Sequence, residues 1–170
     1  MRESKAERIR RFMPFLLIGL AAVSLLTALV FWIQRGAHLE LEGRIQKVRT
    51  LALPDSSTIV VIDFRFANAA NYPFVVRRVD VLLDSAEGRT LEGAVISEPD
   101  AVNVFRYYPL LGQKYNPSLT ARTRIAPRQS LDRMIAARFE LPEEQLARRK
   151  SLRVRVEDVD GAVSEISEQR

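Results

Sequence analysis

The sequence predicts a mainly β protein: an antiparallel β-sandwich with two short helices, preceded by one N-terminal transmembrane helix. Three observations carry this expectation. An uncharged apolar run fills residues 12–33, eight later segments read as strands, seven by alternation and FVVRRVDVLLD by its β-branched content, and turn-forming residues separate those segments at short intervals.

The run FMPFLLIGLAAVSLLTALVFWI has Ser24 and Thr27 as its only polar side chains. At 1.5 Å per residue its 22 residues give a helix of roughly 33 Å, enough to cross hydrocarbon about 30 Å thick. A cleaved signal peptide is shorter and ends in small residues, whereas this run ends in Val30, Phe31, Trp32 and Ile33. Arg2, Lys5, Arg8, Arg10 and Arg11 precede it, and only Arg35 and the single His38 follow closely. Because basic flanks stay inside, the expected organisation is a basic cytoplasmic tail (1–11), a membrane span (12–33), a short linker (34–37) and an extracytoplasmic domain (38–170). The implied location is a cell (inner) membrane, crossed once, with the C-terminal domain periplasmic or extracellular. At no more than about 3.5 Å per residue, the linker keeps the domain within roughly 15 Å of the bilayer. Ala21, Ser24 and Ala28 form a small-residue stripe along the span, suited either to passive lipid contact or to packing against another helix.

The net charge of +5 belongs mostly to the tail, since residues 37–170 carry 20 basic against 19 acidic side chains. A near-neutral domain is a poor ligand for polyanions, so nucleic acid is not an expected partner. With no cysteine in the chain, disulfides, thiolate metal sites and thiol nucleophiles are excluded.

The strands come in order. HLELEGRIQKV alternates Leu39, Leu41, Gly43 and Ile45 with polar residues, and STIVVIDFRFAN puts Val60, Ile62, Phe64 and Phe66 on one face and Val61, Asp63 and Arg65 on the other. A turn rich in Asn and Pro leads to FVVRRVDVLLD, and the turn ending at Gly88 leads to RTLEGAVI. Ser97, Pro99 and Asp100 then read as a helix start, with Ser at the N-cap, Pro in the first turn and an acid three residues on. That helix is expected to stop before Pro109. TARTRI, LDRMIAARF, LRVRVED and AVSEIS restore strand alternation, with a second short helix from Pro142 and a tight hairpin over residues 158–161.

The stretch IVVIDFRFAN, followed by NYPFVV, RVDVLL and the Gly88 turn, resembles late embryogenesis abundant type-2 (WHy-like) domains. In that family a strand ending in Asn runs through an Asn/Pro turn into the next strand; the family's Asn-Pro-Asn reads NAAN here. The resemblance spans about 30 of the 170 residues. It implies a seven- or eight-stranded immunoglobulin-like sandwich without enzymatic activity, often carried behind a membrane anchor.

The catalytic inventory is empty. His38 has no second histidine or cysteine to share a metal, and no nucleophile elbow, phosphate loop or His-Glu-x-x-His motif occurs. Glu143 and Glu144 are neighbours that diverge on a helix, and Asp158 and Asp160 beside Gly161 fit a turn better than a calcium loop. No enzyme activity, cofactor or metal is therefore expected. Two features suit recognition. Val104, Phe105, Tyr107, Tyr108, Leu110 and Leu111 lie in and after the first helix, where they either plug the sandwich or, if exposed, form a partner contact. Residues 121–155 hold ten basic against four acidic side chains. There Arg122 with Arg124, and Arg153 with Arg155, share strand faces, either as a basic patch for lipid phosphates or an acidic partner, or as a solvated face paired with acids. The expected function is a membrane-anchored, non-enzymatic interaction or accessory subunit of the cell envelope or of a larger membrane complex, with an unidentified protein partner. The alternative is an envelope-stress type domain that binds a small apolar or lipid-like molecule between its layers.

Overall fold

The computed structural model describes residue 13, residues 18–29 and residues 41–168. The chain divides into two units, Met1–His38 and Leu39–Arg170. In the first, residues 18–29 form helix α1, with every side chain exposed. No helix among the described residues is long and apolar enough to cross a membrane. The ends of the expected span, the basic tail and the linker with His38 lie outside the described residues.

The second unit is mainly antiparallel β, and each of the eight expected segments contains a strand. These are β1 (Leu41–Ala52), β2 (Thr58–Asn68), β3 (Phe74–Asp84), β4 (Thr90–Val95), β5 (Arg124–Ile125), β6 (Ser130–Phe139), β7 (Ser151–Asp158) and β8 (Val163–Ser167). Both expected short helices are present, α2 (Glu98–Tyr107) and α3 (Glu143–Ala147), and a 3-10 turn, Pro109–Leu111, comes after α2. As anticipated, the Ser97 hydroxyl caps α2 by accepting from the Asp100 N–H.

The strands form one hydrogen-bonded path, β1-β2-β6-β4-β3-β7-β8, with β5 added to the start of β3. The path turns back on itself, because the Leu41 N–H donates to Ser164 Oγ of β8 at 2.8 Å. The sheet is thus nearly closed, which leaves little unpaired edge. Where β6 has no strand beside its lower half, the loop after α2 supplies the bonds: Met134 N–H donates to the Pro117 carbonyl and Leu119 N–H to the Met134 carbonyl.

Alternation explains the core. Val60, Ile62, Phe64 and Phe66 of β2 point inward with Phe74, Val81, Leu83, Phe139, Leu152, Val154 and Ile166, and all are essentially inaccessible to water. Phe64 and Phe66 stack with ring centroids 5.6 Å apart. The opposite face of β2 is covered as well. There Ile59 and Val61 join Met134, Ala136, Ala101 and Leu111 in a second cluster beneath α2 and the 3-10 turn. β2 therefore reads as an alternating strand but is buried on both sides over most of its length.

A local irregularity in β1 redirects its second half. The β1–β2 register slips between Ile45 and Lys47, the mark of a β-bulge. Before it, Leu41 and Ile45 face the main core; after it Val48 does so, while Arg49 and Leu51 turn toward the second cluster. Without the extra residue Arg49 would continue the inward set.

At Gly43 both β2 and Ile166 of β8 come close to β1. A Cβ there would lie 2.6 Å from the Arg65 carbonyl oxygen and 2.8 Å from Ile166 Cδ1. The backbone oxygen cannot swing aside, so Gly43→Ala is expected to cost about 1–3 kcal/mol of stability by overpacking. Urea unfolding of the full chain in mild detergent should show a lower midpoint at unchanged slope.

Candidate functional site

The six apolar and aromatic residues named between Val104 and Leu111 divide between two roles. Val104 and Phe105 pack onto the second cluster, and Leu111 is 2% exposed. Tyr107, Tyr108 and Leu110 point to solvent, Leu110 with 93% of its surface free. Helical periodicity accounts for this split: the buried Ala101 and half-buried Val104 and Phe105 lie three or four apart on one face, leaving Tyr107 on the other. Tyr115, on the loop beyond α2, is exposed as well, whereas exposed Val102 lies about 140° round the helix from Tyr107. The result is a ridge of aromatic and aliphatic side chains standing on a packed base.

Beneath the ridge lies a charge pair that sequence reasoning did not pick out. Arg49 Nη2 donates to Asp63 Oδ2 at 2.7 Å, and the two side chains are 9% and 6% exposed. Arg49 Nη1 donates to the carbonyls of Leu111 at 2.7 Å and Gln113 at 2.8 Å. Its guanidinium also lies 5.0 Å from the Phe105 ring centroid and 5.7 Å from that of Tyr115. The second Asp63 oxygen accepts from Asn116 Nδ2 at 3.0 Å. One arginine and one aspartate thus tie β1 and β2 to residues 111–116. Among the described residues Arg49 Nε is buried without a partner, so the arrangement is not fully satisfied.

A second tie lies nearby. Glu98 accepts from Lys114 Nζ at 2.7 Å and from the Ser118 N–H at 3.1 Å. Burial pushes the Glu98 carboxyl up, but those hydrogen bonds and the lysine charge outweigh it and hold the group below the ordinary glutamate range. The start of α2 and the loop beyond the helix are therefore clamped to each other.

The four arginines weighed as a basic patch or as a solvated face paired with acids lie in two places. Arg124 lies opposite Val75 on β3, and Arg155 lies opposite Asp80, five positions and about 16 Å along the strand. Arg153 is engaged by Asp84 and Glu165, both at 3.0 Å. Arg78 holds Asp80 at 2.6 Å and Glu92 at 3.0 Å on the same outer face. That face is a compensated charge ladder, a known stabiliser of cross-strand pairs. Arg124, in β5, and Arg122, in the turn before it, stand apart from that face.

Other acids are occupied by backbone. Asp158 is buried and accepts from the N–H groups of Val75 at 2.6 Å and Asp160 at 3.1 Å, so it locks the β7–β8 hairpin to the start of β3. Asn68, which closes β2, donates to the Tyr72 carbonyl at 2.7 Å and accepts from the Ala70 N–H at 3.0 Å. Among the described residues no three His, Cys, Asp or Glu side chains are placed to hold a metal ion. Glu143 accepts a hydrogen bond from the Thr50 hydroxyl. A cleft of about 230 Å3 beside α3 is lined by Leu83, Leu91 and Leu141 together with Glu87, Arg89 and Arg148. It opens at the end of the sheet, outside the aromatic core. Ala21, Ser24 and Ala28 all lie in α1, and the Thr27 hydroxyl donates to the Val23 carbonyl at 2.8 Å.

No family model matches this chain, and no curated protein matches it. Among solved structures it is similar to a conserved hypothetical protein from Bacillus anthracis, at 12% identity and a TM-score of 0.40, over 69% of this chain and 82% of that one. It is also similar to an uncharacterised β-sandwich protein from Clostridium difficile 630, at 10% identity and a TM-score of 0.40, over 76% of this chain and 86% of that one.

The charge arrangement separates buried from exposed acids by their cost on removal. Asp63→Asn strips the counter-charge from a buried arginine and is expected to destabilise the domain by about 3–5 kcal/mol in urea unfolding. Asp132→Asn, at the exposed Arg65 pair, should leave the midpoint nearly unchanged. Asp84 behaves differently. Hydrogen bonds from Ser151, Thr90 and Arg153, with the arginine charge, outweigh burial and depress its carboxyl from 3.8 to about 2. A depressed carboxyl contributes stability above its unfolded value and loses it as pH falls toward the folded one. Between about pH 4 and pH 2, Asp84→Asn should therefore flatten the acid-induced fall in thermal midpoint.

Proposed function

We propose that the chain is a membrane-tethered, non-enzymatic recognition subunit whose β domain, a two-layered sandwich with its layers joined at β4, presents the ridge at Tyr107, Tyr108, Leu110 and Tyr115 to a protein partner. The observation that carries this reading is Leu110: a leucine held 93% exposed on a turn whose neighbouring carbonyl is gripped by a buried arginine. Exposed aromatics around a fixed aliphatic anchor match the centre of protein interfaces, where tyrosine is enriched and charge depleted. Rigid support favours binding, because little side-chain and loop entropy remains to be lost.

The membrane half of the proposal is supported by the uncharged run of residues 12–33 and its basic flank. Thr27 agrees with it, since its hydroxyl is satisfied inside the helix, as a polar group facing lipid must be. The resemblance to late embryogenesis abundant type-2 domains points the same way.

A photo-crosslinking residue at position 110 of the full chain, expressed in cells, should give one discrete protein adduct, and the same residue at exposed position 86 should give none. Tyr107→Asp should abolish the adduct while leaving the thermal midpoint in place. Membranes washed with carbonate should retain the chain, and protease added to intact spheroplasts should digest the β domain. Equal crosslinking at 110 and 86 contradicts the recognition surface, and release by carbonate contradicts the anchor.

A further inference from the structure

The end of the domain where the chain enters it has a composition of its own. Leu41, the first residue of β1, is paired with Asn68 at the end of β2. Three loops gather at that end. Residues 69–73 come directly after Asn68; residues 120–129 are fixed there by Arg122 N–H donating to the Val76 carbonyl and Asn68 N–H to the Gln129 carbonyl; the β7–β8 hairpin is fixed by Val159 N–H donating to the Val75 carbonyl.

Their exposed side chains are basic and amphipathic. Arg122, Arg124 and Arg128 are exposed, and none is paired with a carboxylate among the described residues. Arg128 donates to Asn71 Oδ1 at 3.0 and 3.2 Å, a neutral acceptor that orients it without cancelling its charge. Tyr72 is 62% exposed and Val159 stands open on the hairpin. The buried Asp158 has its carboxylate engaged by backbone N–H groups, which leaves Asp160 as the exposed acid of the hairpin. Arg122 and Arg128 also adopt φ of 68° and 60°, the left-handed region that favours glycine, so these turns carry arginine against backbone preference.

We infer that this end docks onto an anionic phospholipid surface, with Arg122, Arg124 and Arg128 against lipid phosphates and Tyr72 and Val159 at the headgroup level. The inference rests on the proposed membrane anchor and deepens it. Chain length selects the occupant: from Ile33 to Leu41 the backbone reaches at most about 28 Å, so the loops around Leu41 stay close to the bilayer. The β3–β4 turn at Ala86 lies at the other end of a strand of 11 residues, roughly 36 Å away. Clustered arginines near a bilayer are attracted to anionic headgroups, and tyrosine is at home in that interface.

The chain has no cysteine, so one introduced thiol reports one place. Full-length Ala121→Cys and Ala86→Cys, each carrying a fluorophore, are placed in nanodiscs containing a headgroup-nitroxide lipid. Quenching at 121 relative to 86 should be at least about threefold greater with roughly 30% phosphatidylglycerol than in purely zwitterionic discs. It should fall to the zwitterionic level in the Arg122→Gln, Arg124→Gln, Arg128→Gln variant. Tethering alone also brings position 121 near the bilayer, but indifferently to headgroup charge. A ratio that is the same in anionic and zwitterionic discs with the unmodified arginines overturns the docking surface and leaves the anchor standing. Failure of the chain to enter discs overturns the anchor, and this inference with it.

Discussion

The buried Arg49–Asp63 pair is the constraint on which the outer face of β1 and β2 depends. Two charges removed from water must satisfy each other and nearby dipoles, or the structure rearranges to hydrate them. Here the demand is met, at every polar atom of the pair but Arg49 Nε, by pulling residues 111–116 down over the sheet, because the Leu111 and Gln113 carbonyls and the Asn116 amide supply further hydrogen bonds. Apolar burial of Leu111 and Phe105 alone would leave the loop's position loosely defined. The ion pair adds direction, and the phenyl and phenol rings beside the guanidinium add contact without competing for its protons.

That pair exists only because of the β1 bulge. Asp63 lies on the outer face of β2 by simple alternation, but Arg49 reaches the same face through the register slip at residues 45–47. One extra residue therefore converts what would be an inward arginine into the centre of a clamp. The clamp in turn lets α2 cover Ile59 and Val61, so β2 is enclosed on both sides and becomes the centre of the domain. Tyr107, Leu110 and Tyr115 are exposed as the outer surface of this cover.

Much of this is legible in the sequence. Period-two alternation, with the β-branched run of β3, locates the eight strands, and the capping residues at Ser97 locate α2, because these signals are local and turn chemistry punctuates them. The apolar content of residues 104–111 is visible too, but which of those side chains face inward depends on how α2 lies across the sheet. Three features are not readable. A bulge leaves no mark in a single strand's pattern, so Arg49 looks like one more polar strand residue. The basic patch is inferred from proximity in sequence, whereas strand pairing separates Arg124 from Arg155 and gives Arg153 to Asp84 and Glu165. The single continuous path of strands depends on two residue pairs between β4 and β6, Ala94 with Arg138 and Val95 with Ala137, which no periodicity announces.

The charge pair, and not apolar packing, holds the ridge in place. Hydrogen exchange on the full chain carrying Arg49→Met with Asp63→Leu separates the two, since apolar side chains can replace a buried ion pair with little loss of global stability. Amides of residues 111–118 should exchange at least about tenfold faster in the double variant while β2 and β6 keep their protection. Unchanged protection of residues 111–118 in a stable double variant would contradict it.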